Sequence, residues 1–304
     1  MLTGLGAAAI GGAAAASIYR ISPMFWKQWA RDLSRDIAPA PRRPLPARWD
    51  RTGVHVAWLG HASLLIRMDG FTILTDPVFS DRAGLHFGPL SIGVKRLVKP
   101  ALTVEELPKI DLILLSHAHM DHMDIPSLRV LENKGTRVIA AHATSDLLRA
   151  GRYARVDEMR WNDRLQAGPV SIRAIEVNHW GARLRTDTWR GYNGYLLEAA
   201  GKRVLFPGDT AATDSFRSLR TMREIDLAIM PIGAYNPWIR AHCTPEQAWQ
   251  MGNQANAARF LPIHHQTFRL SNEPKLEPIE RFLRAAGRDD ARVAAQVIGA
   301  ELSL

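Results

Sequence analysis

From residue 54 onward the chain is a succession of short apolar runs broken by turn residues. The first four are VHVAWLG (54–60), SLLIRMDG (63–70), FTILTDP (71–77) and IDLILLSH (110–117). Runs of this length, rich in aliphatic residues and separated by signals such as Asp-Gly, predict β-strands. A helix is expected over 126–134, followed by a strand in TRVIAAH (136–142), a short helix in SDLLRAG (145–151) and more strands. GYLLEAAG (194–201) and KRVLFPGD (202–209) read as the two arms of a hairpin.

The second half repeats the plan. IDLAIMPIGAY (225–235) is an apolar strand that ends in a polar loop, as the run at 110–117 does. TPEQAWQMGNQAN (244–256) is a helix, with Thr244 as its N-cap, Pro245 in its first position and Gln247 closing a capping box. ARFLPIHH (258–265) is a strand and EPIERFLRAAG (277–287) a helix. Strand-rich halves with intervening helices predict an α/β sandwich, two mixed sheets flanked by helices. APAPRRPLPARWD (38–50) is Pro-rich and predicts an extended linker, so one domain is expected over 51–304.

Composition changes this picture mainly at the N-terminus. The net charge is +9, and +5 of it falls in residues 1–51, where eight Arg/Lys face three Asp. A basic arm suits an anionic surface. Residues 1–20, MLTGLGAAAIGGAAAASIYR, carry no charge before Arg20 and are long enough for a marginal membrane anchor. No basic residue precedes them, which speaks against a cleaved signal. ISPMFWKQWARDLSR (21–35) is suited to lie at a membrane interface. A membrane-associated or cytoplasmic protein is expected. Nucleic acid is not an expected partner, because most of the positive charge lies in the arm. A single cysteine, Cys243, excludes a disulfide framework and a Cys-based zinc site. Any metal must be held by His and carboxylate.

SHAHMDHMD (116–124) places His117, His119, Asp121 and His122 directly after a buried strand. Residues i and i+2 of an extended chain share a face, so His117 and His119 can turn to one point. Asp121 and His122 can reach a second point nearby. Such donors suit Zn²⁺ or a similar divalent ion. Further ligands must come from elsewhere. His179, His242 and His264 lie at strand-to-loop junctions or in a polar loop, and Asp209 ends a strand in VLFPGDT. Asp76, in LTDPVF, and Asp124 are candidates to accept the second N–H of a ligating imidazole. His265 alternates with His264 and should face away. His55, His86 and His142 read as structural, and Trp180, Tyr192, Tyr235 and Trp238 could line an apolar groove.

The succession H-x-H-x-D-H, a lone His, G-D-T and a late strand-end His resembles the metallo-β-lactamase superfamily. WLGHASLLIRMDGFTILTDPVFSDRA, SHAHMDHMD, NHWGAR, FPGDT, MPIGAYNPWIRAHCTPEQA and PIHHQTFRLSNEP are similar to its N-acylphosphatidylethanolamine-hydrolysing phospholipase D branch, over about residues 52–285. The resemblance implies the αββα sandwich and two Zn²⁺. It implies one ion on His117, His119 and His179, the other on Asp121, His122 and His264, and Asp209 between them. His61, in LGHAS, would support the site, and Asp121 and His242 would serve catalysis, His242 at the leaving group. Lactamases of this fold usually use a Cys at the second zinc, where an Asp stands here and Cys243 lies in a different loop, which argues against β-lactam hydrolysis. The implied activity is phosphodiester cleavage by a hydroxide shared between the ions. A lactonase or carboxylic ester hydrolase of the sugar-phosphate lactone type is the alternative.

Overall fold

The computed structural model describes residue 32 and residues 34–304, apart from 89, 185, 221 and 222. The expected anchor (1–20) lies outside the described residues, as does most of the interfacial segment. Among the described residues no helix is long and apolar enough to cross a membrane.

Two mixed sheets form the body. The first runs β15(Glu301–Ser303), β1(Val54–Gly60), β2(Ser63–Met68), β3(Phe71–Thr75), β6(Leu112–Leu114), β7(Arg137–Ala141) and β8(Arg155–Met159). Its first half is an antiparallel meander, and β3, β6, β7 and β8 are parallel. The second sheet runs β14(Ala257–Ile263), β13(Ile225–Pro231), β12(Lys202–Phe206), β11(Gly194–Ala199), β10(Val170–Ile175) and β9(Arg164–Ala167). Here too an antiparallel meander gives way to parallel strands, at β12–β13 and β13–β14. This is the expected α/β sandwich.

Alternation along the strands of the second sheet sorts side chains between two cores. Val204, Phe206, Leu227 and Ile229 face the first sheet. Leu205, Ala228 and Met230 face outward, under helices α2(Pro245–Gln254) and α3(Glu277–Ala286). With both faces covered, β13 has no need of polar positions and reads as a nearly continuous apolar run. Trp249 of α2 and Phe282 of α3 pack on Phe260 of β14.

Thr244 caps α2 as the sequence predicts, with the reciprocal Gln247 bond. Thr244→Ala is expected to lower stability by about 1 kcal/mol, measured by urea denaturation. An unchanged midpoint would show that packing alone holds this helix end.

Three expectations change. The helix read over 126–134 is α1(Ile125–Val130), which stops at Leu131 before the turn containing Gly135. The helix read at 145–151 is two single 3-10 turns, because the Glu158 carboxylate takes the N–H groups of Ala143, Thr144 and Ser145 and fixes a turn there. The segment read as a linker lies against the domain: Ala38 N–H bonds to Leu97 O, Arg42 N–H to Ile298 O, and Trp49 stacks on His55. A hairpin of β4(Arg82–Phe87) and β5(Leu90–Lys95) was not foreseen.

Candidate metal centre

The candidate residues gather where strands end. His117, His119, Asp121 and His122 follow β6, His179 follows β10, Asp209 follows β12 and His264 follows β14. Their convergence obeys the general preference of α/β sheets for ligands at the C-terminal ends of strands. Only glycine allows the turn before Asp209. Gly208 has φ +61°, and a Cβ there would lie 2.5 Å from the Cβ of Ser116.

Two donor groups result. In the first, His119 Nδ1 lies 2.9 Å from His117 Nε2 and 3.3 Å from His179 Nε2. Tetrahedral nitrogen ligands of one zinc ion stand roughly 3.3–3.4 Å apart, so this spacing suits three imidazoles around one ion. In the second, Asp121 Oδ2 lies 2.9 Å from His61 Nε2, 3.5 Å from His264 Nε2 and 3.7 Å from His122 Nε2. Asp209 Oδ2 sits between the groups, 3.0 Å from His122 Nε2, 3.1 Å from His264 Nε2 and 3.9 Å from His179 Nε2. His242 Nδ1 is 3.7 Å from the same oxygen.

Hydrogen bonds behind the cluster fix its tautomers. His122 donates from Nδ1 to Asp76 Oδ2 (2.8 Å), and His179 from Nδ1 to Ala241 O (2.7 Å). Ser116 donates its hydroxyl to Asp76 Oδ2 (2.5 Å), so its oxygen accepts from His117 Nδ1 (2.9 Å). Each of the three rings thus turns its Nε2 edge into the cluster.

The donors fit cations. Both Asp209 oxygens, His122 Nε2 and His264 Nε2 are buried with no hydrogen-bond partner. Unpaired buried acceptors are costly unless a cation faces them. Burial pushes the His117, His119 and His179 rings down, so they present neutral nitrogens. Burial also opposes charge on His122 and His264, but Asp209 and Asp121 outweigh it. They raise His122 well above its ordinary value and His264 to about 9. Burial lowers His61 to about 3 and His242 to about 4. Without a cation the second group thus holds its carboxylates against protonated imidazoles; a bound cation would take the place of those protons and leave the Nε2 lone pairs free to ligate it.

The structure brings together His117, His119, Asp121, His122, His179, Asp209 and His264, with His61, His242 and Asp76 in contact. Asp124 stands apart. It caps α1, accepting from Ser127 N–H (3.2 Å) and the Ser80 hydroxyl (2.6 Å), and so anchors the end of the ligand loop without touching an imidazole of the cluster. An aspartate just before a proline-containing helix start is drawn to the free N–H groups there. His265 stacks on Trp58. Tyr235 packs inward, bonded to Glu277, and Cys243 is buried with its thiol on Pro231 O. Two contributors were missed. Ser116 precedes His117 directly, and Arg183 ties both ends of the ligand loop by bonds to Ala118 O (2.9 Å) and Met123 O (2.8 Å). Arg183 stands in the NHWGAR motif, but bonds to backbone carbonyls leave no trace in residue pattern.

A family model described as "Beta-lactamase superfamily domain" matches residues 72–265. The chain is 32% identical over 293 residues to a mitochondrial N-acyl-phosphatidylethanolamine-hydrolyzing phospholipase D of Saccharomyces cerevisiae, covering 86% of this chain and 62% of that one. It is 28% identical over 249 residues to N-acyl-phosphatidylethanolamine-hydrolyzing phospholipase D 1 of Caenorhabditis elegans, covering 76% and 69%. Among solved structures, the metallo hydrolase Igni18 of Ignicoccus hospitalis superposes with a TM-score of 0.63 at 20% identity, over 83% of this chain and 99% of that one.

Proposed function

The chain belongs to the β-lactamase superfamily, and from that premise we propose that this metal-dependent hydrolase is a dizinc phosphodiesterase acting on N-acylphosphatidylethanolamine-like phospholipids. The observation that carries the reading is the position of Asp209 Oδ2 between a three-imidazole group and a His/Asp group. The phospholipid class is supported by two relatives whose names state it. Zinc is supported by a nitrogen and oxygen donor set with Cys243 turned away.

His117, His119 and His179 would hold one ion, Asp121, His122 and His264 the other, with Asp209 bridging. When bound, such a pair acidifies water and polarises a phosphoryl oxygen. The remaining work falls to the chain. Asp76 and Ser116 hold the rings of His122 and His117, Ala241 O holds His179, and His61 holds Asp121. His242 reaches the cluster from a separate loop and would stabilise the leaving oxygen with its N–H. Replacing it by Ala is expected to lower kcat roughly 10²–10⁴-fold while zinc content stays unchanged. Loss of zinc in this variant would make His242 a ligand instead.

The test of the reading is release of phosphatidic acid from N-acylphosphatidylethanolamine by zinc-loaded protein, followed by mass spectrometry. Turnover of lactones or carboxylic esters with none of phospholipids would replace it with the ester hydrolase. Attachment through the basic N-terminal arm remains part of the proposal.

A further inference from the structure

Large apolar side chains are unevenly placed on this surface. Among the described residues twelve are exposed, and eight of them come from three segments beside the metal centre. The β4–β5 hairpin exposes Leu85, Phe87 and Leu90. The loop after His179 exposes Trp180, Leu184 and Trp189, and the loop before His242 exposes Trp238 and Ile239.

Two of the segments touch the site, and the hairpin reaches Asp124 at the end of the 116–124 loop. The Trp180 ring lies 4.8 Å from that of His119. Trp238 O accepts from His242 N–H, and His86 of the hairpin stands 3.4 Å from Asp124 Oδ1. The hairpin and the loop before His242 also join one another. Trp238 donates its indole N–H to Leu270 O, and Leu270 packs on the cluster of Val78, Ala83 and Phe268 at the hairpin base.

Charge on this rim is mainly positive. Arg240 and Lys275 are exposed and Arg82 is half-buried. The carboxylates within it are buried and engaged: Asp187 with Arg190, and Glu273 with the N–H groups of Ala234 and Asn236. Asp81, at the hairpin base, pairs with Lys99. Apolar tips with indoles and cations, and exposed carboxylates that are already paired with cations (Asp81 with Lys99, Asp146 with Arg190), complement an anionic lipid surface: the tips enter the acyl boundary and the other cations meet headgroups.

We propose that these three segments form a collar that seats the metal centre on an anionic bilayer, separately from the N-terminal arm. The phospholipid reading above enters only for what the seated site would act on. The surface itself stands on the exposed side chains and their charge.

The lone cysteine makes a direct test feasible. Cys243 is buried, and burial pushes its thiol up to about 12, so an introduced cysteine is labelled alone. The full-length chain carrying Phe87→Cys is labelled with an environment-sensitive dye. A control carries Ala200→Cys, in the β11–β12 turn at the end of β12 opposite Asp209. With phosphatidylglycerol-containing vesicles, the label at 87 is expected to shift to the blue and be quenched by doxyl lipids, and the label at 200 to do neither. Adding Trp238→Ser and Ile239→Ser should raise the vesicle concentration needed at least about tenfold. Vesicle binding with an unchanged label at 87 would overturn the collar, since another segment would then carry attachment. A shift that follows protein concentration without vesicles would overturn it in favour of a second copy of the chain. Insertion without phospholipid turnover would leave the collar standing and remove the substrate reading. Turnover without insertion would do the reverse.

Discussion

Asp209→Ala protein, loaded with zinc and desalted, is expected to hold fewer ions per chain than the parent and to lose at least about a thousandfold in kcat/KM. Among the described residues its carboxylate is the only one within 4 Å of both donor groups: Oδ2 lies 3.1 Å or less from His122 and His264, and 3.9 Å from His179. Removing it leaves three imidazoles on one side and His122, His264 and Asp121 on the other, with no anion between them. Two cations would then face each other unscreened across a buried gap. The fold should persist, because Asp209 follows β12 without taking part in its ladder. The near-ultraviolet circular dichroism of the metal-free variant checks this. Full zinc content with full activity would refute the ligand assignment.

Asp76→Ala is expected to act on both affinity and stability. Zinc affinity should fall about 10–100-fold, the usual effect of losing a partner that orients a ligating imidazole. Here one carboxylate serves two rings, His122 directly and His117 through Ser116, so the upper end of that range is expected. Stability should fall by about 3–5 kcal/mol, because the His122 Nδ1–H, the Ser116 N–H and the Ser116 hydroxyl all lose their acceptor in a fully buried place. Asp76→Asn keeps the shape and one acceptor oxygen and should recover part of the stability. Competition with a chromophoric chelator reads the affinity, and denaturant unfolding of the metal-free protein reads the stability. An Ala variant with parental affinity would mean that the rings are held by packing alone.

The different outcomes for Asp76, Asp124 and His61 show where residue pattern stops informing. Asp76 and Asp124 were candidates as carboxylates able to accept the second N–H of a ligating imidazole, and His61 through the family resemblance. Asp76 takes a positive φ of 32° at the end of β3 and reaches across to Ser116 and His122, a contact between parallel strands 40 residues apart. His61 crosses from the β1–β2 turn to Asp121. Asp124 sits closest in sequence and faces elsewhere, since the nearest unsatisfied donors to a helix-leading aspartate are those of its own helix. Nearness along the chain therefore does not predict contact with the cluster.

By itself the sequence determined most of the strand and helix succession, the capped α2 and the spacing of His117, His119, Asp121 and His122. These depend on side-chain periodicity and local hydrogen bonding, which act over a few residues. It also limited the donors to imidazole and carboxylate, because one cysteine leaves no other choice. Only the tertiary structure decided that Asp209 lies between the two groups, that Asp76 serves two rings through Ser116, and that Arg183 closes the ligand loop. It alone placed the β4–β5 hairpin beside the site and laid residues 38–50 against the domain. Those facts depend on which strand ends meet at one edge of the sandwich. That is set by packing two sheets over a shared core, and no local pattern records it.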